Sequence, residues 1–355
     1  MIEHARNLLF VDYGKLESPT VIHKGFYFLT GFGHEAVVIF FVISGFLVGG
    51  KAWSLWKQDR FGWKRYLVDR VSRLYAVLIV ALIFGGLFDV AGLKWFNDFG
   101  YYDHSTIENV AVVSQRFDQQ LSIHHFFGNL LMLQNIQIST YGSNGPLWSL
   151  AHEWWYYLLF PMALFVFKGS WPSRVVCLGG LVLLAWFLTP YILILFGVWL
   201  LGVVAWCCNG KSWLPWWMSF PIFAVALVAM RLEIEFFPYA HQFFLGLGFA
   251  CLLNSFSTSE WRFPFKSISR WLADFSYSLY LVHFPVVLFV IAVLFAKSGN
   301  SSRLQLNGQS ISLFLIVSII AFLASYIVSL FTEAKTVQIR SFLYALAGIQ
   351  RTVRK

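Results

Sequence analysis

Ala36 to Gly50 is a run of fifteen residues without a charge, and it stops at a basic stretch. That stretch carries Lys51, Lys57, Arg60, Lys64, Arg65, Arg70 and Arg73 against only Asp59 and Asp69. Long cationic side chains stay out of hydrocarbon and collect on the cytoplasmic side of a bilayer. An apolar run that ends in this way is read as a membrane span, and the basic segment as cytoplasmic. The rest of the chain is oriented from it.

A soluble domain is about 25% charged. Here 12% of residues are charged and 58% are hydrophobic, with 38 Phe, 16 Trp and 15 Tyr, a surface water cannot cover. Runs such as AVVIFFVISGFLV do not alternate as barrel strands must. The expected fold is therefore all-α: a single polytopic transmembrane bundle over 1–355. The net charge of +9 is explained by loops facing anionic lipid headgroups and implies no nucleic-acid partner. Cys177, Cys207, Cys208 and Cys251 lie in or beside apolar runs without metal-type spacing and read as buried thiols.

Nine spans are expected, at about 36–50, 74–93, 147–167, 173–189, 191–208, 215–230, 240–256, 276–296 and 311–332, the bundle filling 36–332. Residues 1–33 are amphipathic and read as extracytoplasmic. Residues 94–145 form a polar connection with one short apolar piece at His125–Leu133, and 333–355 form a basic cytoplasmic tail. With 51–73 inside, the alternation places 18 of the 26 Lys and Arg on the cytoplasmic side.

Four groups of residues carry chemistry. Arg70 and Arg73, three apart, share a helix face. One such Arg is a topological anchor, but two guanidiniums side by side fit a phosphorylated ligand. In NGPLWSLAHEWWYYLLFP (144–161), polar residues precede a helix bearing Trp148, Ser149, His152 and Glu153. An intramembrane glutamate is costly unless paired or functional, and HEWWY lacks the second histidine of a zinc site. In DFSYSLYLVHFPVV (274–287), His283 precedes Pro285, which frees a backbone carbonyl. The plain reading of a lone intramembrane His is a hydrogen-bonding core residue. His4, beside Arg6 and Asp12, means little alone, and His34-Glu35 opens the first apolar run as a buried polar pair of open role. His124 and His125 read as interfacial.

These segments together resemble the acyltransferase-3 family of bacterial integral-membrane O-acyltransferases over nearly the whole chain. FFVISGFLVGG is similar to its FFVxSGFL span, RVSRLY to its RxxRLYP entry, WSLAHEWWYYLLFP to its WxLxxExxFYxxxP helix, and SYSLYLVHFP to its SYxxYLxHxP helix. Ala76 stands where the family commonly has proline. The resemblance implies ten spans. IEHARNLLFVDY is similar to the end of the first, so that 1–33 reads as the remnant of that span and His4 as the family's catalytic histidine.

What the resemblance implies about activity is transfer of an acyl group, acetyl in the simplest case, from cytoplasmic acyl-CoA to a hydroxyl of an extracytoplasmic polysaccharide or lipid-linked sugar. Acyl-CoA would be a co-substrate, no cofactor being tightly bound, and the setting a bacterial plasma (inner) membrane. His4 is expected as general base, or as an acyl-imidazole carrier. Glu153 would orient the acceptor or a catalytic partner, and Arg70 and Arg73 would hold the donor's phosphates. Trp148, Ser149, His34, Glu35 and His283 are candidates for acceptor binding. Two other readings are a transporter of a glycan intermediate or acylated small molecule, using Glu153 and His283, and an acyltransferase rendered inactive by the missing span.

Overall fold

The apolar runs fold as helices whose ends follow local capping chemistry. In chain order the computed structural model has α1 (Ile2–Leu9), α2 (Val21–Leu29), α3 (Gly33–Ser44), α4 (Gly50–Lys57), α5 (Trp63–Trp95), α6 (Ile123–Leu130), α7 (Leu147–Lys168) and α8 (Trp171–Phe187). There follow α9 (Pro190–Cys207), α10 (Trp216–Arg231), α11 (Ala240–Thr258), α12 (Lys266–Ala273), α13 (Ser276–Ser298), α14 (Gly308–Phe331) and α15 (Thr336–Leu346). A π-helical turn, Gly45–Gly49, joins α3 to α4. The structure describes residues 1–105, 116–232, 238–258, 265–299 and 303–349. Part of the 94–145 connection, Arg262 between the spans expected at 240–256 and 276–296, and Arg351, Arg354 and Lys355 of the tail lie outside the described residues.

The caps are legible residue by residue. Thr20 accepts from His23 N and Asn307 from Ser310 N, each closing a reciprocal capping box, while Ser122 accepts from His125 N. Pro190 opens α9 behind Thr189, using a position where a missing N–H costs nothing.

Among the described residues there is no strand, and a helix lies at each position where a span was expected, with ends mostly shifted by a few residues. Five stretches are long and apolar enough to cross a membrane: Val21–Lys57, Trp63–Trp95, Pro190–Cys207, Ser276–Ser298 and Gly308–Leu346. Trp171–Phe187 and Trp216–Arg231 are shorter apolar helices. Outward-facing side chains such as Val182, Leu183, Trp186 and Ile319 are exposed, as lipid-facing residues are. The protein is a multi-pass helical membrane protein.

Several boundaries differ from expectation: the first apolar stretch begins at Val21 and the last runs to Leu346. The span expected at 74–93 belongs to a helix of 33 residues that begins at Trp63, so Lys64 and Arg65 also ride on α5, together with Arg70 and Arg73, whose shared helix face was expected. Nothing between Trp63 and Phe84 is Gly or Pro, and Lys, Arg and Leu are good helix formers. At 1.5 Å per residue α5 is about 50 Å long, more than the roughly 30 Å of hydrocarbon. Ala76 continues this helix where a proline would break its hydrogen bonding.

The chain divides into two units. The first comprises Met1–Gly33, Leu67–Trp148 and Phe265–Lys355. At its centre is α13, buried on all sides from Leu281 to Leu288, with α1 and α14 packed on it. The end of α1 is fixed by Arg303 and Leu304, ahead of α14. Val11 N donates to Leu304 O (3.1 Å), Leu304 N donates to Leu9 O (2.9 Å), and Arg303 Nη1 donates to Asn7 O (3.2 Å) and Phe10 O (3.1 Å). The terminal carbonyls of the short helix are thereby satisfied.

The second unit comprises His34–Tyr66 and Ser149–Pro264. Its seam is a backbone crossing. A Cβ on Gly45 would strike the carbonyl oxygen of Trp199, and one on Gly202 would strike that of Val42. Gly49 and Gly50 meet the rings of Trp199 and Trp206 in the same way. Small residues four apart let two helices approach this closely, which is the physical content of the SGFLVGG stretch.

Candidate active site

In the first unit, α1 delivers His4 onto α13. The His4 and His283 rings stack with centroids 5.3 Å apart and planes inclined by 26°, and Phe284 stands edge-on to His4 at 5.1 Å. His283 Nδ1 lies 2.8 Å from Leu279 O. A carbonyl only accepts, so Nδ1 carries the proton and Nε2 of the neutral ring presents its lone pair. His4 Nδ1 and His283 Nε2 are both buried and have no hydrogen-bond partner among the described residues.

The geometry of α13 is held from both sides. Pro285 has no N–H to offer Leu281 O; Asn144 Nδ2 donates to that carbonyl instead, at 2.8 Å. Tyr280 OH donates to Pro146 O at 2.9 Å. The loop that supplies Asn144 and Pro146 is itself tied to α5. Asp89, fully buried, accepts from Ser143 N and Ser143 Oγ, both at 2.7 Å. Sequence reading passed over Asp89, although it is the only charged residue between Leu74 and Leu93 and an intramembrane acid is a signal in itself.

The same unit carries the arginine pair. Arg73 is exposed and Arg70 half-buried on α5. At the start of α13, Glu333 Oε2 accepts from Ser278 N and Ser278 Oγ, both at 2.9 Å, and lies within electrostatic reach of Arg73. A carboxylate at a helix N-terminus is favoured by the helix dipole. Tyr277 OH donates to Leu74 O at 3.1 Å, fastening α13 to α5 one residue beyond Arg73.

In the second unit, Glu153 sits in a buried network. Its Oε1 accepts from Ser44 Oγ (2.7 Å) and from Tyr157 OH, and Ser44 Oγ in turn accepts from Trp199 Nε1 at 3.2 Å. Ser44, Tyr157 and Trp199 were not singled out in the sequence, although Ser44 and Tyr157 fall inside the quoted motifs. His152 is fully buried, stacked on Phe41 at 6.0 Å and edge-on to Tyr191 at 5.7 Å. His34 Nε2 lies 3.5 Å from Gln242 Nε2, and Glu35 is buried at the start of α3. Ser149 is buried and Trp148, in the first unit, half-buried. Each unit thus gathers its own candidates: His4, His283, Arg70, Arg73 and Trp148 in the first, and Glu153, Ser149, His34 and Glu35 in the second.

A family model described as an acyltransferase domain, that of acyltransferase-3, matches residues 8–330. The chain belongs to the acyltransferase-3 family. It is also 32% identical over 126 residues to an uncharacterized protein of Haemophilus influenzae, an alignment covering 36% of this chain and 47% of that protein. The match therefore spans about half the length of this curated relative. No solved structure matches the chain. Residues 8–330 thus form an acyltransferase-3 domain, and Ser44, Glu153, Tyr157, Tyr280 and His283 of the polar networks described above fall in the stretches that carry the acyltransferase-3 resemblance.

Proposed function

We propose that the protein moves an acyl group, acetyl in the simplest case, from cytoplasmic acyl-CoA to a hydroxyl of an extracytoplasmic polysaccharide or lipid-linked sugar, in a bacterial inner membrane. The observation that carries this reading is the imidazole of His4, held over His283 with its buried Nδ1 free of any described partner. A ring nitrogen kept desolvated and unsatisfied is costly unless something else uses it.

The reaction needs a base for the attacking hydroxyl. His4 takes the hydroxyl proton as the oxygen attacks the thioester carbonyl. The carbon–sulfur bond then breaks, and the leaving thiolate of CoA recovers the proton from the imidazolium. The products are an O-acyl ester and free CoA. Arg70 and Arg73 hold the donor's phosphates by charge-assisted hydrogen bonds, and Glu153, fixed by Ser44 and Tyr157, orients the acceptor or a catalytic partner.

The test is incorporation of label from acetyl-labelled acetyl-CoA into the glycan and lipid fraction of membranes holding the full chain. His4→Ala is expected to lower transfer by about 100-fold or more, the usual contribution of a general base. Transfer at the wild-type rate would overturn the assignment.

A further inference from the structure

His283 presents a buried lone pair on the ring stacked against His4. Its Nδ1–H is committed to Leu279 O at 2.8 Å, Pro285 leaves Leu281 O to Asn144, and the residue is 1% exposed. Nothing in the described structure uses Nε2. The ring cannot exchange a proton directly with His4, because the two lie face to face and hydrogen bonds to imidazole form in the ring plane. One hydroxyl has one hydrogen, which His4 claims, so a donor to the neighbouring nitrogen has to be a different group.

We propose that His283 Nε2 accepts a hydrogen bond from a second hydroxyl adjacent to the one that is acylated, so that the acceptor is a diol segment of a sugar and not an isolated alcohol. This rests on the acyl-transfer reading with His4 as base. His4 and His283 divide the work: His4 removes the proton of the reacting hydroxyl, and His283 fixes the orientation of the ring that bears it. No bond is made or broken at His283. A site built to accept from a hydroxyl discriminates against an acceptor lacking it, because a buried acceptor atom is then left unpaired.

Two substitutions separate this role from a structural or proton-accepting one. In His283→Asn the side-chain amide can still donate to Leu279 O but nothing reaches the place of Nε2. In His283→Gln the amide oxygen reaches that place and can accept a hydrogen bond but is not basic. Labelled acetyl-CoA is supplied to membranes of each variant, and the acetylated glycan is analysed for the position of the label. The expected result is a loss of about 10- to 100-fold in transfer for His283→Asn, recovered at least in part by His283→Gln. The KM for acetyl-CoA should be unchanged in both, and the product should carry a free hydroxyl on the carbon next to the acetylated one. Equal wild-type activity in both variants, equal loss in both, or an acetylated carbon without a neighbouring hydroxyl would each overturn the proposal. Absence of any transfer from acetyl-CoA by the wild-type protein would instead strike at the acyl-transfer reading itself.

Discussion

Asn144 donates through Nδ2 to the carbonyl oxygen of Leu281, the one backbone acceptor that Pro285 leaves without its helical donor. A loop residue 137 positions away thus completes the hydrogen bonding of the central helix at the turn that carries His283. Replacing Asn144 by Ala should leave a buried carbonyl unpaired and cost about 1–3 kcal/mol. In a Pro285→Ala background the helix recovers its own N–H, so the same substitution should cost less. Thermal unfolding of the four proteins in detergent measures that coupling, and equal costs in both backgrounds would show that the bond does not compensate for the missing N–H of Pro285.

Gly45 meets the backbone of Trp199 where any Cβ would overlap it. Gly45→Ala is expected to push α9 off α3 and destabilise by about 1–3 kcal/mol, the range for overpacking. Because Ser44 is the adjacent residue, the Trp199–Ser44–Glu153 network should be disturbed as well. Gly62, which has open space around it, is the control: Gly62→Ala should leave the midpoint unchanged.

Asp12 and Arg303 form an ion pair at 2.9 Å outside the apolar core. The hydrogen bond from Arg303 holds the Asp12 carboxyl below its ordinary value of 3.8. A group depressed in the folded state stabilises at pH above its unfolded value, and that contribution fades as pH falls through the folded one. Asp12 is more than half exposed in its side chain, so the effect should be under about 1 kcal/mol. The difference in unfolding midpoint between wild type and Asp12→Asn should be constant above about pH 5 and shrink below pH 4. A difference that grew toward acid would contradict the assignment.

Arg70→Ala and Arg73→Ala should each raise the KM for acyl-CoA by roughly 10- to 100-fold, the value of a hydrogen bond to a charged group. Their effect on kcat at saturating donor should be small, since binding that is uniform through the reaction alters only KM. Steady-state kinetics in membranes, with donor concentration varied, reads this directly. A fall in kcat with KM unchanged would place the pair away from the donor.

Helix type and the positions of the apolar helices were legible because apolar runs, proline positions and capping residues act locally, whereas the count of nine spans was not reproduced: five stretches of the described residues are long and apolar enough to cross. The SYSLYLVHFP stretch was legible as a unit for a reason the structure supplies. Tyr277, Ser278, Tyr280, His283 and Pro285 each impose a contact on Leu74, Glu333, Pro146, His4 or Asn144. The partners themselves were not legible. A sequence shows that Ser143 or the end of α1 needs an acceptor or a donor, but not that Asp89 and Arg303 will provide it from 54 and 296 residues away. The start of α5 was misread for a related cause: a dense run of cations looks like a loop, although those residues are good helix formers when nothing interrupts them.

The π-helical turn at Gly45–Gly49 makes the chain sensitive to counting. Such a turn holds one residue more than an α-helical turn would. Deleting a single residue there would restore an ordinary α-helical turn with both flanks near their present register, whereas a further inserted residue would leave Ser44 beside Glu153 and rotate the helix from Gly50 to Lys57 by about 100°. Gly50 would leave the face of Trp206, and Ser54 would lose the 2.9 Å hydrogen bond from Trp206 Nε1. Length between Ser44 and Ser54 is therefore as much a requirement as composition, and a further insertion there would be more damaging than most single exchanges of side chain.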